Sequence, residues 1–229
     1  MPEQDAGVKW FNTVFYPKNR TGRAVGYEDK ILPRLRETEV TLFTPWGPRY
    51  KWEIRGVIIR QEDKEVDALN VLAALLGDWR ENMPGKEFRW MVLAADLYGT
   101  RINNLPDAVV AKYFMSLQEW VHEILPVAEF HLWSEFDEQA EQYRRWVRER
   151  SDTMLHYQLV HRATLVAHAM ARGGDPKAYL VERIAEAMLI EHMLHPIKIS
   201  CVPRGKDDNV DWDLPRLYLL PERLHAPWL

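Results

Sequence analysis

The sequence predicts an α/β protein with a mainly parallel sheet that is flanked by helices. Short apolar, β-branched runs alternate along the chain with longer segments in which apolar residues recur every three or four positions. One short run, Phe88 to Ala95, is apolar along most of its length, which is typical of a strand buried on both faces of a parallel sheet. Strands that alternate with helices form parallel sheets through crossover connections, so we expect that architecture here.

The first half of the chain supplies two of the strands. Glu28 to Arg36 predicts a short helix that Pro33 limits. Glu39 to Phe43 predicts the first strand, which ends at the turn sequence TPWGPRY. Asp63 to Met83 has helical periodicity and stops at a Pro-Gly pair, and the strand from Phe88 to Ala95 follows it.

The second half continues the alternation. Its predicted elements, in chain order, are a helix from Pro106-Asp107, a strand over Ala128 to Phe136, one long helix or two over Asp137 to Arg172 with a break near Ser151, a helix from Pro176 to about Leu194, and strands over Ile197 to Val202 and Leu217 to Leu220. This order is Rossmann-like, and we expect an antiparallel element near the carboxyl end, where a charged loop joins the last two strands.

The composition is that of a globular chain. The 229 residues have a formal net charge of -4, with 47% hydrophobic and 28% charged residues, which excludes a disordered or membrane-embedded protein. An acidic chain is not expected to bind nucleic acid generally. The single Cys201 forms no intrachain disulfide, and no signal peptide or membrane span is visible, so we expect a cytoplasmic protein. We expect one domain over residues 1–229, with residues 1–27 as an irregular arm.

Three loops are predicted to form the ligand site, because ligands of open α/β sheets bind beyond the carboxyl ends of the strands, where the strand order reverses. Guanidinium groups pair with carboxylate or phosphate and aromatic rings stack, so the loops suit a zwitterionic aromatic or phosphorylated small molecule. The loop residues are Thr44, Trp46, Arg49, Tyr50 and Lys51 in the first, Asp96, Tyr98, Arg101, Asn103 and Asn104 in the second, and Ser134 and Glu135 in the third.

These loop residues have predicted roles. We expect Asp96, Arg101 and Glu135 to be catalytic, with Asp96 holding an amino group or transferring a proton. The remaining candidates bind substrate: the arginines hold anionic groups and the rings line the pocket. Each role has a structural alternative, in which Asp96 caps a turn, the arginines are surface residues and Trp46 belongs to the core.

No metal or cofactor is expected. The fingerprints GxGxxG and GxxxxGK[ST] are absent from the loops, and no HExxH spacing occurs. His192 and His195 lie near a predicted helix C-terminus. The helix dipole favours histidine there, so their presence does not require a metal site.

Four segments carry a family resemblance. They are EVTLFTPWGPRYK, AADLYGTRINNLPDAVVAKYFMSL, IKISCVP and HAPWL at the carboxyl end. Taken in order, they resemble the isocyanide synthase family of pyoverdine and dityrosine biosynthesis proteins. The resemblance implies a biosynthetic enzyme, a lyase or transferase, that acts on an aromatic amino acid or similar substrate, and it implies site residues at Lys51 or Arg49, Asp96, Lys198 and Ser200. Val202 and Leu229 stand where the family has histidines.

Two other functions stay open. A tRNA-dependent transferase similar to the cyclodipeptide synthases would use Tyr179 and Glu182, although no Gly-x-Ser turn follows the first strand. Its tRNA contact would come from Arg144, Arg145 and Arg148, whose alternative is a solvated helix face. The third possibility is a non-catalytic α/β binding protein.

Overall fold

A parallel sheet of five strands forms the centre of the computed structural model, which describes residues 2–47, 50–53, 56–59, 63–150, 175–201 and 214–220. The strand order is β5-β4-β1-β6-β7, and every neighbouring pair is parallel. The five strands are β1 (Glu39–Trp46), β4 (Glu87–Ala94), β5 (Ala128–Leu132), β6 (Ile197–Cys201) and β7 (Arg216–Leu220); β2 (Tyr50–Glu53) and β3 (Gly56–Ile59) form a separate antiparallel hairpin.

Helices connect the strands and cover both faces of the sheet. They are α1 (Pro2–Trp10), α2 (Tyr16–Asn19), α3 (Leu32–Arg36), α4 (Asp63–Asn82), α5 (Asp107–Ile124), α6 (Asp137–Glu149) and α7 (Pro176–Leu194). Three π-helical turns, Phe11–Phe15, Tyr27–Ile31 and Tyr98–Ile102, and one 3-10 turn, Trp133–Phe136, complete the described elements. None of the helices in the described part of the chain is both long and apolar enough to cross a membrane.

The strand order reverses between β1 and β6. The chain places β4 and β5 on one side of β1 and then crosses to the other side for β6 and β7. Helices α4 and α5 pack on the face that carries Leu42 and Val92, which we call the first face. Helices α6 and α7 pack on the second face, which carries Phe43 and Leu93. The gap beyond β1 and β6 is therefore where this architecture places a ligand.

The predicted antiparallel element near the carboxyl end is wrong. Strand β7 pairs parallel to β6, with Lys198 opposite Arg216. The connection over residues 202–215 exceeds the roughly dozen residues that a parallel crossover needs, so its length permits this direction. Antiparallel pairing occurs instead on the outer side of β7, where Val25 forms an isolated bridge with Arg216.

The N-terminal arm is also more regular than predicted. Residues 2–19 are helical, with a π-helical turn inserted at Phe11–Phe15. The Phe11 and Phe15 rings pack edge-on against Trp79 of α4, with centroids 5.3 and 5.4 Å apart. This tertiary packing orders a segment whose own sequence shows no clear period.

Two strand ends differ from the prediction. Strand β1 continues past Phe43 to Trp46, where the Trp46 carbonyl accepts a hydrogen bond from the amide of Ala95. Strand β5 stops at Leu132, because the Glu135 carboxylate accepts from the Leu132 amide and starts the 3-10 turn. The later part of the predicted helix over Asp137 to Arg172, from residue 151 on, lies outside the described residues.

Candidate functional site

Two turns and two helix N-termini meet at the carboxyl edge of the sheet. Helix α6 follows β5 and α7 precedes β6, so both helices begin at this edge. Asp96 Oδ1 accepts a hydrogen bond of 3.0 Å from the Ser134 amide, which joins the segments after β4 and β5. The Trp133 indole donates to Glu182 Oε1 at 2.6 Å, which joins the 3-10 turn to α7.

Arg144 is the centre of an ion-pair network between α6 and α7. It is buried at 4% exposure and donates to both oxygens of Glu182, at 2.8 Å from Nε and 2.6 Å from Nη2. Its Nη2 also lies 2.7 Å from Asp137 Oδ1. Burial alone lowers the pKa of Arg144, but Glu182 and Asp137 outweigh that effect, so the pKa is raised. Arg144 is thus held as a permanent cation inside the protein.

Arg101 extends this network to the surface. Its guanidinium donates to both oxygens of Asp137, at 3.0 and 2.7 Å. These hydrogen bonds are the main reason that the pKa of Asp137 is lowered, and the charge of Arg144 adds to the effect. The turn after β4 is thereby tied to the first turn of α6.

A cavity of about 500 Å³ opens between α6 and α7 beside this network. Ile102 and Val181 give it an apolar floor, while Arg101, Arg148 and Glu141 carry charges of both signs at its rim. Glu141 accepts from Arg148 at 2.8 Å. Because cations and carboxylates alternate here, the rim suits a zwitterion better than a simple anion.

A second polar cluster lies buried under the same edge, and we call it the Tyr98 cluster: Tyr98, Tyr179, Arg183 and Glu186. Arg183 Nη1 donates to Glu186 Oε1 at 2.6 Å, one turn apart on α7. The rings of Tyr98 and Tyr179 pack edge to face with centroids 5.8 Å apart. Burial, followed by the charge of Glu186, raises the pKa of Tyr98 well above its usual value.

Polar atoms of the Tyr98 cluster remain unsatisfied. Within the described part of the chain, Arg183 Nε and Glu186 Oε2 are buried and have no hydrogen-bond partner. The Tyr98 hydroxyl adjoins the guanidinium and helps to keep it charged, yet no described atom completes a hydrogen bond of normal geometry with it. Buried polar atoms without partners are uncommon, which makes this donor and this acceptor candidates for binding a hydroxyl group.

The predicted catalytic residues lie at the carboxyl edge in different settings. Asp96 is half-buried and caps the turn that contains Ser134. Arg101 is exposed on the cavity rim and paired with Asp137. Glu135 is exposed and accepts from the Leu132 amide at 3.0 Å, while its other oxygen lies 2.8 Å from His131 Nδ1. The structure therefore brings Asp96 and the turn of Glu135 together.

The predicted substrate-binding residues are more scattered. Trp46 is 2% exposed and packs in the core of the first face. The amide of Asn103 closes the π-helical turn on the Tyr98 carbonyl at 2.9 Å. Lys198 and Ser200 lie in β6, and Lys198 is buried opposite Phe43. Tyr50 and Lys51 belong to β2, whereas Arg49, Val202 and Leu229 lie outside the described residues.

One of the three arginines predicted to contact tRNA, Arg144, is buried and already paired. Three carboxylates hold its side chain between α6 and α7. Arg145 and Arg148, on the same helix, are exposed. Helical spacing alone cannot show which of two adjacent arginines turns inward, because the deciding carboxylate, Glu182, lies on another helix.

Sequence reasoning missed Arg183 and Glu186. The available signal was their position within YLVERIAEAMLI, a stretch of α7 whose only charged residues are these two and Glu182 and whose apolar residues are mostly buried. A charged pair inside such a stretch is costly unless it is paired or used. As for metals, the residues that the structure describes contain no group of three or more His, Cys, Asp or Glu that could hold an ion.

Comparisons with known proteins show the fold. No protein-family model matches the sequence, and no curated protein sequence is similar to it. A tyrosyl-tRNA synthetase from Archaeoglobus fulgidus, solved with L-tyrosine, has a TM-score of 0.59 at 13% identity over 95% of this chain. The PvcA protein from Pseudomonas aeruginosa has a TM-score of 0.55 at 15% identity, over 97% of this chain and 84% of that one. A CDPS from Staphylococcus haemolyticus has a TM-score of 0.47 at 7% identity, over 78% of this chain and 89% of that one.

The fold and the edge site thus define a Rossmann-type α/β protein. The present chain spans 64% of the synthetase chain. The likeness to PvcA shows a related fold.

Proposed function

We propose that this chain is a biosynthetic enzyme that binds an aromatic amino acid, tyrosine by preference, at the carboxyl edge of the sheet. The observation that carries the proposal is the Tyr98 cluster, in which Arg183 Nε and Glu186 Oε2 are buried without partners in the described part of the chain. The chemistry that we propose is similar to that of the isocyanide synthases. The likeness to a synthetase solved with L-tyrosine supports the choice of ligand.

A ring hydroxyl fits these unsatisfied atoms. A phenol accepts one hydrogen bond, which Arg183 Nε can donate, and donates one, which Glu186 Oε2 can accept. Phenylalanine has no such group and would leave both protein atoms unpaired. A site built around a buried donor and acceptor rejects a ligand without the matching hydroxyl far more strongly than an apolar pocket rejects a missing methyl group.

The charged ends of an amino acid need groups of both signs. Asp96 is proposed to hold the ammonium group or to transfer a proton, and Arg101 is proposed to hold the carboxylate. Glu135 is proposed to take part in catalysis. Lys198 and Ser200, from the strand at the switch in strand order, remain proposed substrate contacts together with the residues of the loop after β1.

Titration calorimetry with L-tyrosine, L-phenylalanine and L-tryptophan tests the proposal. We expect L-tyrosine to bind more tightly than L-phenylalanine by roughly 10- to 100-fold, because the phenylalanine complex leaves buried polar atoms unpaired. Glu186→Gln should remove most of this preference. The exposed carboxylate of Glu119, on α5 at the opposite face, provides the matched control, and Glu119→Gln should bind as the wild type does.

A second variant keeps the calorimetric test of the proposed ligand decisive. If Glu186→Gln fails to fold, Tyr98→Phe removes a single buried hydroxyl and should also reduce the preference. Equal affinity of the folded wild-type protein for L-tyrosine and L-phenylalanine, or binding of none of the three amino acids, would contradict the proposal.

A further inference from the structure

Another buried polar group lies on the first face of the sheet, where β1 ends. Glu65, in the first turn of α4, is 0% exposed, and Tyr113 of α5 is buried beside it. The Tyr113 hydroxyl lies 3.0 Å from Glu65 Oε1 and 3.3 Å from the carbonyl oxygen of Gly47. The Tyr113 hydroxyl therefore links α4 and α5 to Gly47, the first residue after β1.

Burial of this pair is costly and so calls for an explanation. A carboxyl group that is removed from water destabilises the fold unless hydrogen bonds replace its hydration. The first turn of a helix favours negative charge, and the Tyr113 hydroxyl offers a hydrogen bond, so both features offset part of the cost. A hydroxyl held in this way is also in position to fix a third group, the Gly47 carbonyl.

Gly47 is held from two sides. The Trp46 carbonyl accepts from the Ala95 amide at 2.7 Å, and the next carbonyl, that of Gly47, faces the Tyr113 hydroxyl. Two consecutive peptide units at the end of β1 are thereby fixed, the first by β4 and the second by α5. This point adjoins the reversal of strand order between β1 and β6, where α/β proteins bind ligands.

We propose that Tyr113 and Glu65 are positioning residues that brace Gly47 and so fix the wall of the ligand crevice at the end of β1. Glu65 acts through Tyr113, since the single hydroxyl hydrogen is shared between Glu65 Oε1 and the Gly47 carbonyl oxygen, both of which lie within hydrogen-bond distance. The effect on ligand affinity rests on the proposed function, whereas the brace itself does not.

Hydrogen exchange followed by mass spectrometry tests the brace directly. In Tyr113→Phe the amides of Thr44, Trp46 and Gly47 should exchange about tenfold faster than in the wild type, as expected when one buried hydrogen bond is lost. Amides of residues 90–94 serve as the internal reference for global opening. Tyr27→Phe is the matched control, because it removes a hydroxyl that bonds Asn12 in the N-terminal segment, away from this edge.

Ligand affinity and a conservative variant separate positioning from simple stability. Tyr113→Phe should weaken L-tyrosine binding by about tenfold while Tyr27→Phe leaves it unchanged. Glu65→Gln keeps an acceptor oxygen for Tyr113 and should stay within about threefold of the wild type in both measurements.

Unchanged exchange at residues 44–47 in Tyr113→Phe, or equal acceleration in both Tyr→Phe variants, would overturn the brace. If wild-type protein binds no L-tyrosine, the proposed function fails, and the exchange data still decide whether the brace exists.

Discussion

Arg144 and Glu182 form a two-point ion pair that joins α6 to α7, with distances of 2.8 and 2.6 Å between their paired atoms. Glu182 also accepts from the Trp133 indole at 2.6 Å. Three elements at the carboxyl edge thus depend on one buried guanidinium. Of the three arginines that the sequence predicts as a tRNA contact, Arg144 is thus part of a buried ion-pair network.

Removal of Arg144 should therefore destabilise the protein strongly. Arg144→Ala leaves the Glu182 carboxylate without its cation, while Asp137 keeps Arg101, and the loss of one partner of a buried pair typically costs about 3–5 kcal/mol. Urea unfolding measures the change in the free energy of unfolding. Arg145→Ala, at the exposed neighbouring position, should change it by less than about 0.5 kcal/mol. Similar losses in the two variants would contradict the buried network.

RNA binding should be weak. With Arg144 internal and Arg148 paired with Glu141, helix α6 offers little free positive charge to a phosphate backbone. We expect filter retention of tRNA to be low at about 50 mM salt and absent at about 200 mM. Strong salt-dependent retention that Arg145→Ala and Arg148→Ala together abolish would restore the tRNA hypothesis.

Because Arg101 pairs with Asp137, we expect the protein to lose stability at acid pH. The pKa of Asp137 is lowered in the folded protein, chiefly by hydrogen bonds from Arg101. A group of this kind stabilises the fold above its unfolded pKa of about 3.9, and the contribution disappears as the pH falls through the folded value. Arg101→Gln should thus be less stable than the wild type at pH 7, by at most about 1 kcal/mol because the pair is partly exposed.

Urea unfolding of both proteins from neutral to acid pH provides the measurement. The difference between Arg101→Gln and the wild type should shrink as the pH is lowered below about 4. A difference that stays constant across this range would show that the pair does not act through the charge of Asp137.

The raised pKa of Tyr27 leads us to expect a loss of stability at alkaline pH. Burial, together with the nearby Tyr16 and Glu28, raises its pKa to about 12. A phenol whose pKa is higher in the folded than in the unfolded protein stabilises the fold below the unfolded value, and this contribution is lost as the pH rises from about 10 towards the folded value. The stability of Tyr27→Phe should therefore fall less steeply over this range, as urea unfolding at a series of pH values would show. If the stability of the wild type and of Tyr27→Phe fell in parallel with rising pH, this prediction would be wrong.

Local sequence patterns predicted most of the fold. The apolar run at Phe88 to Ala95 and the helical period over Asp63 to Met83 correspond to β4 and α4, because burial of those side chains dictates both the element and its length. The direction of β7 could not be predicted in this way. It depends on the path of residues 202–215, and strand patterns carry no information on direction.

The candidate site was harder to predict than the fold. The position of Asp96 and Arg101 at the carboxyl edge could be predicted because each follows a recognisable strand, and a general rule places ligands at strand ends. Arg183 and Glu186 were missed because a helix of apolar character hides its few charged residues until their buried surroundings are known. The orientation of Arg144 likewise depends on Glu182, which lies 38 residues away in the sequence.

The most direct measurement is a crystal structure of the chain with L-tyrosine bound. We expect the ring hydroxyl of the ligand to lie within hydrogen-bond distance of both Arg183 Nε and Glu186 Oε2, beside Tyr98, with the amino-acid end directed toward Asp96 and Arg101. A ligand bound elsewhere, with Arg183 Nε and Glu186 Oε2 still without partners or bridged only by water, would contradict the proposal.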